Sequence, residues 1–330
     1  MESYLRNNKI NSALSNELLK VTQAAVISAV RYEGMGDKEL VDQSAVDAMR
    51  STLTNINMDG IVVIGEGEKD EAPMLYIGER VGNGFGPKVD VAVDPIDGTT
   101  LLSKGLPGAI SAMAVCNRGE MNCPKSHAYM YKIIVGNKAK DVIDIDDPVS
   151  VNLSNIAKAL NKDITDLTVV VLDRPRHKDL LLDINNAGAN IKLISDGDVI
   201  AGLQVALPNS GVDVLMGIGG TPEGVLTAAA LRCIGGEIIC RAWPKNDEEK
   251  QLAAQNGIDL DIVYSTEDLV GKGDVIFVCT GASNGDLVSG VELVEGGALT
   301  HSVCMSTDVE GINRVEMYYD KSQIDKLLYI

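Results

Sequence analysis

Two carboxylates and two hydroxyls close the segment V-D-V-A-V-D-P-I-D-G-T-T, which spans residues 89–100. Its valines recur at every second position, which is the period of a half-buried strand. We expect the strand to end at Asp94, because Pro95 has no N–H to donate to a sheet ladder and its ring fixes φ. The pattern therefore predicts a strand that delivers Asp94 to the edge of a sheet.

The end of this segment predicts a turn into a helix. Gly98 permits a sharp bend, and Thr99 or Thr100 has a hydroxyl that can cap the helix N-terminus. Asp94, Asp97 and one hydroxyl would then meet at a strand-to-helix corner, beside helix N–H groups that suit phosphate. Such hard oxygen ligands are what Mg²⁺ or Mn²⁺ requires when it acts on a phosphate ester. An acidic turn after a strand is also common without a function, so the corner alone leaves both interpretations open.

A second acidic segment follows the apolar run 61–64, which predicts another buried strand. The carboxylates behind this strand are Glu66, Glu68, Asp70 and Glu71. Acidic runs usually form solvated surface, but these follow a buried strand. Carboxylates crowded without a counter-charge raise one another's pKa or push the loop open, and a divalent cation removes that conflict. The pattern favours a cation site.

Helical spacing of apolar residues predicts a helix at 15–32, a break at the glycines of 34–38, and a second helix at 41–55. Asp42 and Asp47 lie near the start of the second helix, where carboxylates complement the helix dipole. We interpret Asp47 in that structural sense and leave Asp42 open between the dipole role and a metal site. Lys38 is either an exposed lysine without a role or a group that steadies a reacting oxygen.

Strands and helices alternate in the second half of the chain, which indicates α/β packing. Polar loops follow the successive strands, where ligands of α/β proteins usually bind. The predicted strands are 168–172, 191–194 and 212–216, and the loops after them are 173–177, 195–198 and 217–224. We place a lobe boundary near residue 165, which gives an α+β metal-site lobe, 1–165, and an α/β substrate-binding lobe, 166–330.

The glycine-rich loop 217–224 is not a nucleotide motif, because Pro222 falls where G-x-G-x-x-G needs its third glycine. The loop also lacks the G-K-[ST] ending of a P-loop. Its backbone N–H groups between a strand and a helix still suit phosphate. Glu223, at the head of that helix, is by itself a carboxylate in a place that the dipole favours.

Two arginines flank a rigid proline in the segment Arg174-Pro175-Arg176. Their planar guanidinium groups suit a phosphate, although an arginine on a loop is often only solvated. Asp196 and Asp198 suit hydrogen bonds to sugar hydroxyls, and turn formation is their alternative role.

Composition excludes several classes of protein. The 330 residues carry a formal net charge of −18, which argues against a nucleic-acid surface. The polar N-terminus has no signal-peptide pattern, and no apolar run approaches the length of a membrane helix. None of the six cysteines forms a C-x-x-C pair, so we expect reduced thiols in a cytoplasmic protein, with redox control through Cys116 and Cys123 as the alternative.

The run Asp94-Pro95-Ile96-Asp97-Gly98-Thr99 matches the D-P-[IL]-[DE]-G-T signature of the lithium-sensitive sugar and inositol phosphatase superfamily. From about Val21 to the C-terminal strands, the chain resembles the class II fructose-1,6-bisphosphatases of bacteria and cyanobacteria. The resemblance implies an α/β fold, an αβαβα sandwich of two lobes. It also implies hydrolysis of the 1-phosphate of fructose 1,6-bisphosphate, with a place in gluconeogenesis or Calvin-type carbon metabolism.

The resemblance also implies roles for individual residues. Two or three Mg²⁺ or Mn²⁺ ions would be held by Asp42, Glu66, Asp94, Asp97 and Glu223, with the Ile96 carbonyl. The implied catalytic residues are Thr99, Asp70 and Lys38, with Thr99 paired to Asp70 or Asp42 to orient water. The implied substrate contacts are Asp97, Gly98, Thr99, Tyr129, Arg174, Pro175, Arg176, Asp196, Gly197, Asp198 and Gly220. One departure concerns Asp97, which stands where many class II members have Glu and puts the metal preference in doubt.

Several alternatives remain open at this point. The substrate could be sedoheptulose 1,7-bisphosphate or both sugar bisphosphates, whereas the second-lobe loops argue against an inositol phosphate. A non-catalytic sugar-phosphate or Ca²⁺-binding module would keep the acidic loops without needing Thr99. A purely structural partner protein is disfavoured, because no exposed interaction repeat is visible. The resemblance implies a homo-oligomer, dimer or tetramer, while no motif decides the oligomeric state or regulation by AMP.

Overall fold

The computed structural model describes residues 10, 12–67, 74–124 and 128–328. Contacts divide the chain into two compact units. The terminal unit comprises Met1–Met121 and Lys272–Ile330, and the central unit comprises Asn122–Gly271. These limits differ from the predicted lobes 1–165 and 166–330, because the chain leaves the first sheet before residue 129 and returns to it at residue 275.

The described residues form strands and helices throughout both units. The strands are β1 Asp59–Ile64, β2 Arg80–Val81, β3 Lys88–Asp97, β4 Ile110–Asn117, β5 Tyr129–Val135, β6 Thr168–Leu172, β7 Asn190–Ile194, β8 Val214–Gly220, β9 Glu237–Ala242, β10 Val263–Tyr264, β11 Val275–Gly281, β12 Glu292–Val294, β13 Gly297–Ser306 and β14 Val309–Asp320. The helices are α1 Ser12–Ala29, α2 Lys38–Leu53, α3 Thr99–Ser103, α4 Val149–Leu160, α5 Lys178–Ala187, α6 Asp198–Ala206, α7 Thr221–Ile234, α8 Asp247–Gln255, α9 Thr266–Leu269 and α10 Lys321–Leu328. Mixed sheets and helices of this kind confirm the predicted α/β class.

The terminal unit contains a mixed sheet with the strand order β12-β13-β11-β4-β3-β1-β2, and β14 pairs with β13. The pairing of β1 with β3 is parallel, whereas the other pairings in this sheet are antiparallel. Since β1 and β3 are parallel neighbours, their carboxyl ends lie at the same edge of the sheet. This edge is where both acidic segments of the terminal unit emerge.

Helices α1 and α2 pack on each other and on this sheet, as the two predicted helices require. The apolar stripe of α1, including Leu18, Val21 and Ala25, is fully buried in the core of the unit. Helix α2 begins at Lys38, three residues before its predicted start, because Asp37 caps it by accepting a hydrogen bond from the Leu40 N–H at 3.0 Å.

Pro95 does not end the strand, contrary to our expectation. Strand β3 continues to Asp97, and its partners in β4 shift between Asp94, opposite Ala112, and Asp97, opposite Ile110. Three steps along β3 face two along β4, which defines a β-bulge. A bulge tolerates a proline because the residue there leaves the regular ladder.

The central unit contains a second mixed sheet with the strand order β10-β9-β5-β8-β6-β7. Strands β8, β6 and β7 are parallel to one another, and β5 is antiparallel to β8 and β9. The loops after β6, β7 and β8 therefore leave from one edge, as predicted from the alternation of strands and helices. One face of this sheet packs on α4 and α5, and the other on α6 and α7.

The glycine-rich segment belongs to a strand rather than to a loop. Strand β8 runs to Gly220, and helix α7 begins directly at Thr221. The predicted loop 217–224 was wrong because glycines interrupt the apolar alternation at Met216, although the backbone continues to pair with β5.

Two further expectations concern the chain as a whole. The six cysteines all lie within the described residues as thiols outside any disulfide, and four of them are buried. Within the described residues, every helix is too short or too polar to cross a lipid bilayer.

Candidate active site

The two predicted carboxylate segments leave the sheet of the terminal unit at the same edge. Ile64, the last residue of β1, lies opposite Ala92 of β3, so Glu66 lies two residues beyond the end of β1 and Asp94 two residues further along β3. Glu66 is half-buried, and its N–H donates to the Leu75 carbonyl at 3.0 Å. This bond ties the residue after β1 to the segment that leads into β2. Asp70 lies outside the described residues.

The residues before α2 are hydrogen-bonded to the end of α3. The Gly34 N–H donates to the Leu102 carbonyl at 3.0 Å, and the Gly36 N–H donates to the Ser103 carbonyl at 2.7 Å. Helix α2 also packs against β3 and α3. Its first residue, Lys38, is exposed, whereas Asp42 is half-buried, and burial raises the pKa of the Asp42 carboxyl.

The corner after β3 differs in detail from the prediction. Gly98 is the N-cap of α3 in the left-handed region, with φ +90°, and no side chain caps the helix. Thr99 is the first helical residue rather than the cap, and its hydroxyl donates to the Ile96 carbonyl at 2.9 Å. Asp97 is only 6% exposed, so its carboxylate lies inside the protein fold.

The chemistry of these donors fits a hard divalent cation. Asp42, Glu66, Asp94 and Asp97 offer only carboxylate oxygens, which Mg²⁺ and Mn²⁺ prefer over softer metals. Among the described residues, no three carboxylate, thiol or imidazole groups converge tightly enough to enclose an ion by themselves. This carboxylate edge, formed by the four residues named above, thus fits a cation by the type of its donors and not by an enclosed space for the ion.

A second cluster of predicted residues lies at one edge of the central unit's sheet. The Arg174 guanidinium donates to the Ser195 carbonyl at 2.5 Å, and its Nη2 lies 3.4 Å from the Asp196 Oδ1. These contacts join the loop after β6 to the loop after β7. Gly197 has φ +75° and is the N-cap of α6, so it allows the chain to turn from Asp196 into the helix.

Tyr129 lies at the same edge, because it pairs with Gly220 across β5 and β8. The Arg176 guanidinium lies 5.2 Å from the centre of the Tyr129 ring, and the Lys245 ammonium lies 4.4 Å from it. Trp243 packs edge-on against the ring at 6.5 Å. Two cations on one aromatic ring, in a chain with net charge −18, form a local positive site that suits an anionic substrate.

His177, directly after Arg176, is 1% exposed and braces two strands. Its Nε2 accepts a hydrogen bond from the Ile218 N–H at 2.7 Å, so its Nδ1–H donates to the Leu172 carbonyl at 2.6 Å. Burial lowers the pKa of the imidazole, and the nearby arginines lower it further. Gly217, with φ +133°, leaves room for the ring, because a Cβ there would lie 2.9 Å from Nε2.

The remaining two glycines of β8 make room for charged side chains. A Cβ at Gly220 would overlap the Glu223 Oε2, and a Cβ at Gly219 would overlap the Asp198 Oδ2. Glu223 Oε2 is inaccessible to water and has no hydrogen-bond partner among the described residues. Burial, followed by the charge of Asp198, raises the pKa of the Glu223 carboxyl. Such an orphaned oxygen fits a metal ligand.

Sequence reasoning missed Lys132 and Lys245. Lys132 lies within the apolar run of β5, where a charged residue is a visible anomaly, and its Nζ lies 2.8 Å from Asp198 Oδ2. Lys245 follows Trp243 and Pro244 after β9, and nothing in that local sequence indicates its contact with Tyr129. That contact arises because β5 and β9 are antiparallel neighbours.

The chain is similar to known proteins over nearly its whole length. The family described as bacterial fructose-1,6-bisphosphatase, glpX-encoded, matches residues 12–319. The fructose-1,6-bisphosphatase class 2 of Haemophilus influenzae is 41% identical over 335 residues, which cover 97% of this chain and 100% of that protein. Two Synechococcus proteins, each named D-fructose 1,6-bisphosphatase class 2/sedoheptulose 1,7-bisphosphatase, are 39% and 40% identical over 340 residues, which cover 94% of this chain and 97% of each relative.

These relatives are phosphatases, and the family generally requires a divalent metal. The match extends through both units, from α1 to the end of β14, and includes every described candidate residue. The chain therefore belongs to the class II, glpX-type family of bacterial fructose-1,6-bisphosphatases.

Proposed function

We propose that this chain hydrolyses the 1-phosphate of fructose 1,6-bisphosphate, giving fructose 6-phosphate and inorganic phosphate, with Mg²⁺ or Mn²⁺ as the required ion. The observation that carries the proposal is the carboxylate edge of the terminal unit. There, Glu66 follows the end of β1 and Asp94 lies near the end of its parallel neighbour β3, with Asp97 and Thr99 next along the chain. The substrate is the one named for the relatives at 39–41% identity.

The terminal unit supplies the groups for hydrolysis. Asp42, Glu66, Asp94 and Asp97 would hold divalent ions, two or three in all. Glu223 of the central unit is proposed as a metal ligand on its own evidence, which is its buried Oε2 without a hydrogen-bond partner among the described residues. A bound divalent ion supplies Lewis-acid stabilisation of the charge that develops on the attacking and leaving oxygens. The Thr99 hydroxyl donates a hydrogen bond to the Ile96 carbonyl. The lone pairs of the hydroxyl oxygen are therefore left to accept a hydrogen bond from the attacking water. Lys38 is exposed at the start of α2 and would steady a reacting oxygen.

The central unit supplies recognition of the sugar and its second phosphate. Arg174 and Arg176 offer permanently charged donors that suit a phosphate. Lys245 is a third cation of this unit, and it lies with Arg176 at the Tyr129 ring. Asp196 and Asp198 would accept hydrogen bonds from sugar hydroxyls. Gly220 ends the strand beside Tyr129 and leaves space that a larger residue would fill.

Phosphate release from a panel of substrates tests the proposal. The panel contains fructose 1,6-bisphosphate, fructose 6-phosphate, sedoheptulose 1,7-bisphosphate and inositol 1-phosphate, each with Mg²⁺, Mn²⁺ or EDTA. A coupled assay through phosphoglucose isomerase detects fructose 6-phosphate but not fructose 1-phosphate, so it reports which ester is cleaved. We expect rapid metal-dependent formation of fructose 6-phosphate. Activity that persists in EDTA, or preferred cleavage of inositol 1-phosphate, would contradict the proposal.

Sedoheptulose 1,7-bisphosphate is a second candidate substrate, because two of the relatives carry both names. The two sugar bisphosphates share the phosphorylated C1 end and differ in chain length. A ratio of their kcat/KM values within about tenfold, equivalent to about 1.4 kcal/mol of transition-state binding, would make the enzyme bifunctional. We also propose that the protein is a homo-oligomer and that it is located in the cytoplasm.

A further inference from the structure

Lys132 is among the largest fully buried side chains of the described residues, at 1% exposure. It occupies the middle of β5, between the apolar neighbours Met130 and Ile134 on the same face of the strand. An ammonium group without water carries a large desolvation cost unless a counter-charge meets it. A lysine at such a position therefore needs an explanation in terms of its partner.

The partner of Lys132 is Asp198, the first residue of α6, which is itself 4% exposed. The Lys132 Nζ and the Asp198 Oδ2 lie 2.8 Å apart, and neither atom has a well-aligned hydrogen bond to any described residue. The pair is thus held by charge and by packing. Glu223 is close enough that both charges act on its carboxyl.

Strand β8 is built around this pair. Lys132 lies opposite Gly217, and two residues later Gly219 has no side chain. A Cβ at Gly219 would overlap Asp198 Oδ2 and come within 2.8 Å of Lys132 Nζ. The glycine therefore lets the lysine pass along β8 and reach the loop after β7.

A stabilising role explains this arrangement poorly. Buried ion pairs contribute little net stability compared with apolar residues of similar volume, because both charges lose their hydration. A positioning role explains it better, because Asp198 belongs to the loop that the proposed function assigns to the sugar. A carboxylate that is fixed before the substrate arrives loses less conformational freedom on binding.

We propose that Lys132 is a positioning residue for sugar recognition: its buried ammonium fixes the Asp198 carboxylate at the start of α6. This inference rests on the proposed function, since it takes Asp198 as a contact of the sugar bisphosphate. Lys132 acts through Asp198 and does not touch the substrate. The specificity for a sugar with hydroxyls within reach of Asp198 then depends on a residue 66 positions away in the sequence.

A double-mutant cycle tests the role. Lys132→Met, Asp198→Asn and the double variant are compared with wild type for kcat, KM and calorimetric binding of fructose 6-phosphate. We expect Lys132→Met to raise KM roughly 10- to 100-fold with a smaller change in kcat, as Asp198→Asn does, because outer residues that orient a ligand typically cost this much. In the double variant, the Lys132 substitution should add less than about threefold, because the proposed effect of Lys132 on the sugar passes through Asp198.

Lys162→Met is the matched control, since Lys162 also pairs with an aspartate of the central unit, Asp213, at 2.6 Å. We expect its kinetic constants to equal those of wild type. If Lys132→Met does not fold, comparison of the double variant with Asp198→Asn still decides the question. Gly219→Ala is an independent test, because it keeps both charges but forces the pair apart, and we expect it to raise KM as well.

Three results would overturn the inference. They are wild-type kinetics in folded Lys132→Met, wild-type kinetics in Gly219→Ala, or effects of Lys132 and Asp198 that multiply in the double variant. Failure of the proposed function would look different, because wild type itself would then release no phosphate from any sugar bisphosphate.

Discussion

Single residues of the candidate site hold their charges where water has little access. Asp97 is 6% exposed, and burial raises the pKa of the carboxyls of Asp42 and Glu223. A bound divalent cation would reverse these shifts, because a nearby positive charge favours the ionised carboxylate. We therefore expect metal binding and the orientation of water to depend on single residues, which the next two variants test.

Asp94→Asn removes one negative charge from the carboxylate edge while keeping the shape of the side chain. We expect kcat/KM to fall at least about 10²-fold, the order of effect seen when one group that stabilises a developing charge is lost. Phosphate release measures this change, and circular dichroism checks that the fold is retained. Asp47→Asn is the matched control, because Asp47 is exposed on α2 and accepts a hydrogen bond from Gln43. Near-normal turnover of Asp94→Asn would remove Asp94 from the site.

Thr99 is predicted to act through its hydroxyl. Thr99→Val keeps the shape but loses the hydroxyl that donates to the Ile96 carbonyl, and we expect kcat to fall about 10²- to 10⁴-fold. Thr99→Ser keeps the hydroxyl, and its kcat should stay within tenfold of wild type. Equal losses in both variants would show that the methyl group matters rather than the hydroxyl.

At the scale of elements, each site is assembled where strands end at a common edge. Glu66 follows the end of β1 and Asp94 lies near the end of its parallel neighbour β3, and the parallel trio β8, β6 and β7 sends its loops out at one edge of the central unit's sheet. The three glycines of β8 make room for His177, the Lys132–Asp198 pair and Glu223 in turn. The strand thus leaves space for these polar groups, because its glycines have no side chains to fill it.

Gly220→Ala should disturb Glu223 specifically. The backbone at Gly220 has φ −65°, which alanine adopts readily, but the added Cβ would overlap the Glu223 Oε2. We expect the metal concentration for half-maximal activity to rise roughly 10- to 100-fold, as for other changes that displace a metal ligand. Titration of activity with Mn²⁺ measures the shift, and an unchanged metal requirement would exclude Glu223 as a ligand.

His177→Gln should weaken the brace between β6 and β8 by about 1–3 kcal/mol of unfolding free energy, because buried groups lose hydrogen-bond partners. Burial holds the folded pKa of His177 below the value of 6.5 for an unperturbed histidine. Below pH 6.5 the unfolded chain therefore binds a proton that the folded chain does not, so the stability from neutral His177 is present above pH 6.5 and is lost as the pH falls.

The gap in unfolding free energy between wild type and His177→Gln should accordingly shrink from pH 7.5 to pH 5.5. Urea denaturation at several pH values measures this gap. A gap that stays constant with pH would mean that His177 does not titrate differently in the two states.

At the scale of the whole molecule, the chain carries net charge −18 yet is proposed to bind an anion. Long-range repulsion would slow the approach of such a substrate. Local charge has to reverse this field, through Arg174, Arg176 and Lys245 in the central unit and through cations at the carboxylate edge of the terminal unit.

Divalent ions should also stabilise the folded protein. A ligand that binds only the native state at 100 times its Kd contributes about 2.7 kcal/mol. We expect Mn²⁺ or Mg²⁺ to raise the Tm in differential scanning fluorimetry, EDTA to reverse the increase, and Asp94→Asn to show a smaller shift. A metal-induced shift of full size in Asp94→Asn would place the main ion elsewhere.

The sequence by itself determined the α/β class, most strands and helices, the family, and the acidic corner from Asp94 to Thr99. These features depend on local chemistry: the period of apolar residues, the conformations of glycine and proline, and a contiguous motif. The two wrong local predictions also have local causes. A β-bulge accommodates Pro95 within β3, and the glycines of β8 interrupt the apolar pattern although the strand continues.

Only the tertiary structure decided which strands are neighbours, and therefore which distant side chains meet. Strand β11 pairs with β4, so the C-terminal part of the chain belongs to the same unit as the N-terminal part. No change in amino-acid composition marks the limits of this unit. The contacts of Lys132 with Asp198 and of Lys245 with Tyr129 likewise cross between strands or loops far apart in the chain. Periodicity reports that a residue is buried but not what it is buried against, so these partners could not be predicted from the sequence.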